Sequence, residues 1–372
     1  MIYLDNAATT KVFDEAVSAA AQMMTDNFYN PNATYTHGVA VKSFIESCRK
    51  EIAKYLGAED KEIIFTSCAT ESNNWVFSQG RKRPSGNIVI SAGEHSSVYE
   101  PAMRLKSRGT DVRIAKLDKS GRVDTDDLLR LVDDNTSLVS VIHVSNETGV
   151  INPIKDICSA VKRKSKNALF HSDGVQGALK SDSVDSLGVD YYSVSAHKMG
   201  APKGIGLLYV NKKLNIAPML VGGGQERGLR SGTQNTAYIA AFAAAVKQFI
   251  KTRDLERTHA IRNKLVELFT DSGAKIIGDR SNSGYILCVC LNGAKAEIVQ
   301  NAACDRGVVI GKGAACSGSK RGNRVLSAMG LSDSEVERCI RISLCNDTSM
   351  GDAVTASEII LECAYKIRRG NV

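Results

Sequence analysis

Apolar positions along the chain alternate between helical and strand spacing. Val41, Phe44, Ile45, Cys48, Ile52, Tyr55 and Leu56 mark one helix face, and Gly57 stands at its end. EIIFTS then reads as a strand and ATESNNWVFSQG as the start of a helix, followed by the strand NIVISAGEH and the helix SSVYEPAMRLKSRG. SLVSVIHVSN, ALFHSD, YYSVSA and GIGLLYV are further short runs rich in β-branched and aromatic residues, mostly separated by helical segments. This alternation predicts an α/β fold with a mainly parallel sheet covered on both faces. The last two strands differ: about nine residues join them, too few for a crossover helix, so an antiparallel pair is expected. A long helical region is expected from about Thr236 to Ser272. After it come the strand GYILCVCLNG, a helix around Ala294 to Arg306, and GVVIGKG. A boundary near residue 250 divides the chain into a large domain, 13–250, and a smaller α+β domain. The smaller one takes residues 251–372 together with 1–12, which return to pack against the C-terminal part.

Composition narrows the classes. The chain has 372 residues, 43% hydrophobic and 24% charged, which suits a folded protein of two or three domains. Its net charge of +8 is spread along the sequence. The basic cluster Lys162, Arg163, Lys164, Lys166 has no interleaved aromatics, so direct nucleic-acid binding is not expected. The longest apolar stretch, AYIAAFAAAV, is far short of the roughly 20 residues of a membrane helix. MIYLDNAATT has neither the basic start nor the apolar core of a signal peptide, so a cytoplasmic protein is expected. The ten cysteines include no CxxC pair and the histidines are scattered, which argues against a zinc site. Cys288 and Cys290 alternate along one strand and so share a face.

Ligands in an open α/β sheet sit beyond the carboxyl ends of the strands. Five strands each deliver polar groups there: Cys68, Ala69 and Thr70; Glu94 and His95; Asn146 and Glu147; Asp173 and Gln176; His197 and Lys198. A lysine amine forms a Schiff base with an aldehyde cofactor, and an acidic residue keeps a pyridine nitrogen protonated, making the ring an electron sink. Asp173 suits the second role, although its position also suits a helix cap. Thr70 and the helix opening at Glu71 offer a hydroxyl and backbone N–H groups to a phosphate. His95 could stack on a flat ring and move protons. GGGQERGLRSGT reads as a mobile basic loop able to reach an anion, and it carries Thr233. Cys316 lies among Gly, Ala and Ser in GAACSGS, a setting that suits an exposed, mobile nucleophile. Arg341 sits in the apolar strand CIRISL and needs a partner, a part that a substrate carboxylate would fill.

At these residues the chain resembles the cysteine desulfurases of pyridoxal phosphate fold type I, in the class V aminotransferase superfamily. The likeness runs from YLDNAATT through FTSCATESNN, EHSSV, VSNETGV, HSDGVQ, SAHKMGAPKGIG, GGGQERGLRSGT and GAACSGS to IRISL. It implies an aspartate-aminotransferase-like large domain and a small domain carrying a mobile catalytic cysteine loop. It also implies that Lys198 holds pyridoxal 5'-phosphate, with Asp173 at the ring nitrogen and Gln176 beside the ring hydroxyl. His95 resembles the stacking, proton-shuttling histidine, and Asn146 the asparagine near the ring hydroxyl and the substrate. Ala69, Thr70, Ser195 and His197 match the phosphate cup, and Thr233 a threonine given by the second subunit of a homodimer. Arg341 resembles the clamp on the substrate carboxylate. Cys316 resembles the nucleophile that takes sulfur from L-cysteine as a persulfide, leaving L-alanine. The acceptor protein implied is an iron–sulfur scaffold, a tRNA-thiolation protein or a DNA-phosphorothioation component.

Three positions depart from the family pattern. Cys68 and Ala201 stand where glycine is common, and SLCND at 343–347 replaces a glycine-bearing continuation near Arg341. Selenocysteine lyases and aminotransferases share this fold, and Cys316 in its motif is what favours desulfuration. A nucleotide-binding reading of GVVIGKG lacks the Ser or Thr that a phosphate loop requires after its lysine.

Overall fold

The computed structural model describes residues 1–79, 86–279, 282–313 and 323–370. Its strands are β1 (Ile2–Leu4), β2 (Ile63–Thr66), β3 (Asn87–Ser91), β4 (Val112–Ala115), β5 (Thr136–Ser140), β6 (Leu169–Asp173), β7 (Tyr191–Ser195), β8 (Gly206–Val210), β9 (Lys275–Ile277), β10 (Ile286–Cys290), β11 (Val308–Lys312) and β12 (Cys339–Ser343). Seven form one sheet in the order β2-β8-β7-β6-β5-β3-β4. All its neighbours run parallel except β8, which is antiparallel to both β7 and β2. The short β7–β8 connection therefore does what its length dictates. Because β8 reverses, β2 again runs with β7, and the carboxyl ends of β2, β3, β5, β6 and β7 share one edge.

Helices cover both faces of this sheet. On one side Asp14–Thr25, Thr36–Leu56 and Thr236–Thr252 close a large apolar core. On the other, Ala69–Gln79 and Ser96–Lys106 pack with the fully buried Trp75. The helix Thr36–Leu56 stops at Gly57, whose φ of 72° is the left-handed conformation that glycine takes without strain.

Two features go beyond the sequence reading. The helical region expected from about Thr236 to Ser272 consists of two helices, Thr236–Thr252 and Leu255–Asp271. Asp254 breaks it, because its carboxylate accepts from the Arg257 N–H and caps the second helix. Strand β4, at the sheet edge, was not expected. Its sequence VRIA puts Arg113 in the middle, and that side chain turns out to pair with Asp111 and Asp133.

A second sheet has the order β1-β11-β12-β10-β9 and a core of its own. Helices Leu255–Asp271, Ala296–Asp305 and Met350–Arg368 pack on it. As expected, the first residues return to the C-terminal part: β1 pairs parallel with β11. Cys288 and Cys290 do share a face, where they meet Cys339 in a small apolar cluster.

Candidate active site

A cleft of about 260 Å³ opens at the shared carboxyl edge of the large sheet. Ala69, Thr70, His95, Asn146, Asp173, Gln176, Ser195, His197, Lys198 and Arg341 all line it. Of the remaining sequence candidates, Thr233 is exposed and outside the cleft, and Cys316 lies outside the described residues.

Lys198 ends the short turn Ala196–Lys198 that follows β7. Its Nζ donates to the carbonyl oxygens of Ala7 at 2.6 Å and Ala8 at 2.7 Å. Thr10 reinforces this clasp through its N–H and its hydroxyl, which both donate to the His197 carbonyl. The adjoining Gly200 has φ of 82°, and a Cβ there would stand 2.1 Å from the Phe13 ring. The shortage of side chains around the lysine is thus a packing requirement.

Asp173 ends β6. Its Oδ1 accepts from the Val175 N–H at 3.0 Å, a local turn bond and not the helix cap that its position also suited, since no helix begins there. Its Oδ2 accepts from Asn73 Nδ2 at 3.0 Å. Gln176 donates to the Ala7 carbonyl at 3.0 Å. Three buried oxygens at the cleft, Gln176 Oε1, Asn146 Oδ1 and Ser195 Oγ, have no hydrogen-bond partner among the described residues. Buried polar atoms are almost always paired, so these mark where a polar ligand belongs.

Helix Ala69–Gln79 begins at the cleft, and its first N–H groups point to where an anion would sit. His197 bonds Thr9 Oγ1 through Nδ1 at 3.2 Å, and burial pushes its pKa down to about 4, helped by Lys198, Lys203 and Lys180. His95 caps the helix Ser96–Lys106: its Nδ1 accepts from the Ser97 N–H at 3.1 Å. Burial first, then the charges of Lys198, Arg324 and Arg341, hold its pKa below the usual imidazole range, against the opposing pull of Asp173. Glu94, beside it, bonds Ser91 Oγ and the Ile142 N–H, and burial pushes its carboxyl up to about 7.

Arg341 does not wait for a substrate to find its partners. It bonds the Asn146 carbonyl at 2.9 Å and Asp5 Oδ1 at 3.0 Å, with Glu147 Oε1 at 3.9 Å. Glu147 also accepts from Asn146 Nδ2 and Asn323 Nδ2, each at 2.9 Å. Sequence reasoning missed Asp5, Asn73 and Ser97 as parts of the site, although all three lie inside the quoted motifs. The loop 222–233 also differs from expectation. Arg230 is paired with Glu71 at 2.8 Å, and Arg227 donates to the Ile63 carbonyl at 2.6 Å. These two arginines are engaged by the protein itself.

The set fits pyridoxal phosphate. Asp173 would face its ring nitrogen, the unpaired amide and hydroxyl oxygens would meet its polar atoms, the start of helix Ala69–Gln79 would meet its phosphate, and Lys198 would meet its aldehyde. The comparisons agree. The aminotransferase class-V family model matches residues 2–354. A cysteine desulfurase of Trichormus azollae is 33% identical over 99% of this chain and 94% of its own. The structure of a NifS-like protein superposes with a TM-score of 0.89 at 35% identity, covering 97% of this chain and 98% of that one. SspA in complex with cysteine gives 0.81 at 31%, covering 94% of this chain and 100% of the other. The match runs almost end to end in both sequence and backbone, so the chain belongs to the cysteine desulfurases of the class-V aminotransferase family, enzymes of pyridoxal phosphate fold type I.

Proposed function

We propose that this enzyme converts L-cysteine to L-alanine with pyridoxal 5'-phosphate and receives the sulfur on Cys316. The observation that carries the reading is the convergence of Lys198, Asp173, Gln176 and Ser195 in one cleft that Arg341 also lines. Lys198 would hold the cofactor's aldehyde and Asp173 its ring nitrogen. Gln176 and Asn146 would hold the side of its ring hydroxyl, and Ala69, Thr70, Ser195 and His197 its phosphate. When bound, the cofactor supplies an electron sink for the carbanion that develops on the substrate.

The chain's own groups do the rest. Arg341 orients the substrate carboxylate, with Asn146 beside it. His95 lines the cleft and would stack on the cofactor ring and carry protons near the reacting atoms. The Cys316 thiolate attacks the substrate sulfur, the C–S bond breaks with its electron pair left on carbon, and a proton completes the methyl group of alanine. One L-cysteine and one thiol thus give one L-alanine and one persulfide, and the outer sulfur then passes to an acceptor protein. The acceptor we propose is an iron–sulfur scaffold, a tRNA-thiolation protein or a DNA-phosphorothioation component.

We further propose a homodimer in which Thr233 reaches the partner's phosphate site. Support comes from the exposure of Thr233 and of Phe28 (66%), Tyr35 (53%), Val39 (54%) and Val221 (91%), apolar side chains that an interface would cover. The core of the second sheet, whose buried residues are Leu4 and positions within 261–364, supports a division near residue 250, with 13–250 as the large domain and 1–12 plus 251–372 as the small one. No helix among the described residues is long and apolar enough to cross a membrane, and the cytoplasm is the proposed setting.

Brief exposure of the holoenzyme to L-cysteine, followed by peptide mass mapping, tests the assignment. Added sulfur should sit on Cys316, and Cys316→Ser should bind the cofactor yet carry none. Sulfur on Cys68 or Cys345 with Cys316 unmodified would overturn the transfer route.

A further inference from the structure

Asn73 lies in the helix Ala69–Gln79, fully buried, and its amide nitrogen reaches two groups. It donates to Asp173 Oδ2 at 3.0 Å and to Ser97 Oγ at 2.8 Å. The carboxylate decides which way this amide faces. Turned over, Asn73 would set its own oxygen against Oδ2, acceptor against acceptor. The remaining oxygen, Oδ1, is buried with no partner among the described residues, so both useful contacts are made through the NH₂ group.

The consequence passes on to His95. Ser97 Oγ accepts a hydrogen from Asn73, which directs its own proton to the next acceptor, His95 Nδ1, at 2.8 Å. The Ser97 N–H donates to the same nitrogen at 3.1 Å. Two donors on Nδ1 exclude a proton there, so the neutral ring carries its proton on Nε2.

We propose that Asn73 is a positioning residue that joins Asp173 to His95, steadying the carboxylate and fixing the imidazole as an Nε2–H donor toward the cleft. The inference rests on the reading of Asp173 and His95 as working groups of the site. It also sharpens that reading: in the resting site His95 offers a hydrogen bond and is not a base. To accept a proton at Nε2 it must first exchange its tautomer, which breaks both bonds from Ser97 and uncaps the helix Ser96–Lys106.

The test is nitrogen NMR of imidazole-labelled, cofactor-free protein, with His95 assigned by comparison with His95→Gln. The wild type should show the Nε2-protonated tautomer. Asn73→Ala and Ser97→Ala should each shift the His95 ring signals toward a mixture of tautomers. In the holoenzymes kcat should fall about ten- to a hundredfold for Asn73→Ala, as loss of a hydrogen bond to a charged group implies, and about two- to tenfold for Ser97→Ala, which loses a neutral one, while KM for L-cysteine stays within about twofold. Ser97→Ala removes only a hydroxyl and carries the test if Asn73→Ala does not fold. A wild-type ring protonated at Nδ1 would overturn the proposal, as would ring signals and kcat left unmoved by both variants. Wild-type alanine formation is measured separately: its absence refutes the proposed desulfurase activity without touching the tautomer result.

Discussion

Asp5→Asn separates the ion pair that Arg341 makes from its proposed role as clamp on the substrate carboxylate. The guanidinium is 2% exposed, with Asp5 at 3.0 Å and Glu147 at 3.9 Å. Asparagine keeps the acceptor oxygen and the approximate shape but removes one charge, and its two effects have opposite sign. Folding loses part of the compensation for a buried cation. Breaking such a pair outright costs about 3–5 kcal/mol, and with Glu147 and the Asn146 carbonyl still in place about 1–2 kcal/mol is expected. Carboxylate binding should gain. A substrate carboxylate that meets Arg341 lies close to Asp5, and like charges about 4 Å apart repel by about 4 kcal/mol at an effective dielectric constant near 20. If relaxation and water remove two thirds of that, about 1.4 kcal/mol is left, a roughly tenfold tightening. The assay is a spectral titration of holoenzyme with L-alanine, which has the carboxylate and no sulfur to transfer, paired with urea unfolding. A folded variant that binds L-alanine no better than wild type would show that Arg341 is a structural ion pair and not the clamp.

Three other outcomes are expected. A Cβ on Gly174 would stand 1.9 Å from Tyr192 Cζ, in a fully buried spot beneath the turn that carries Asp173 and Gln176. Gly174→Ala should therefore cost about 1–3 kcal/mol or more and weaken cofactor binding, and in a Tyr192→Leu background most of that cost should vanish; strictly additive unfolding energies would refute the clash. His171 is buried between Ser140 Oγ and Ser193 Oγ, and burial pushes its pKa down to about 3. The unfolded chain takes up that proton near pH 6.5, so stability is intact above 6.5 and falls with pH by about 1.4 kcal/mol per unit toward 3. His171→Gln should remove that share of the slope in denaturant unfolding at pH 7, 6 and 5, and identical slopes would count against it. Asp173→Asn keeps the shape but loses the charge at the ring nitrogen, so turnover should drop steeply while some cofactor stays bound; near-normal turnover would sink the assignment.

What the sequence revealed depended on whether the signal was local. The shortness of the β7–β8 connection, residues 196–205, sufficed to expect the reversal, because chain length alone forbids the alternative. The polar groups after five strands pointed to one edge because a parallel sheet brings its carboxyl ends together. Arg341 announced that it needed a partner, but not that Asp5, at the other end of the chain, would be there. Asn73 looked like one more polar residue on a helix, since nothing in ATESNN shows that Asp173 lies across from it. The helix break at Asp254 was a local signal overlooked: an aspartate before a fresh helical run is a cap. Arg113 hid β4 because the carboxylates that neutralise it come from outside the strand.

The pairing of β1 with β11 also sets a timetable. Ile2 leaves the ribosome well before its partner Val308, which follows about 300 residues later. At 5–20 residues per second that is a wait of about 15–60 s. The Ala7 and Ala8 carbonyls that clasp Lys198 hang from this same waiting segment. Arg341, which meets Asp5 next to β1, is made later still. The large sheet can form early, but the contacts of Lys198 and Arg341, the proposed cofactor lysine and carboxylate clamp, are completed only after β11 and β12 have been made. A chain cut short before that point carries the sheet without those contacts.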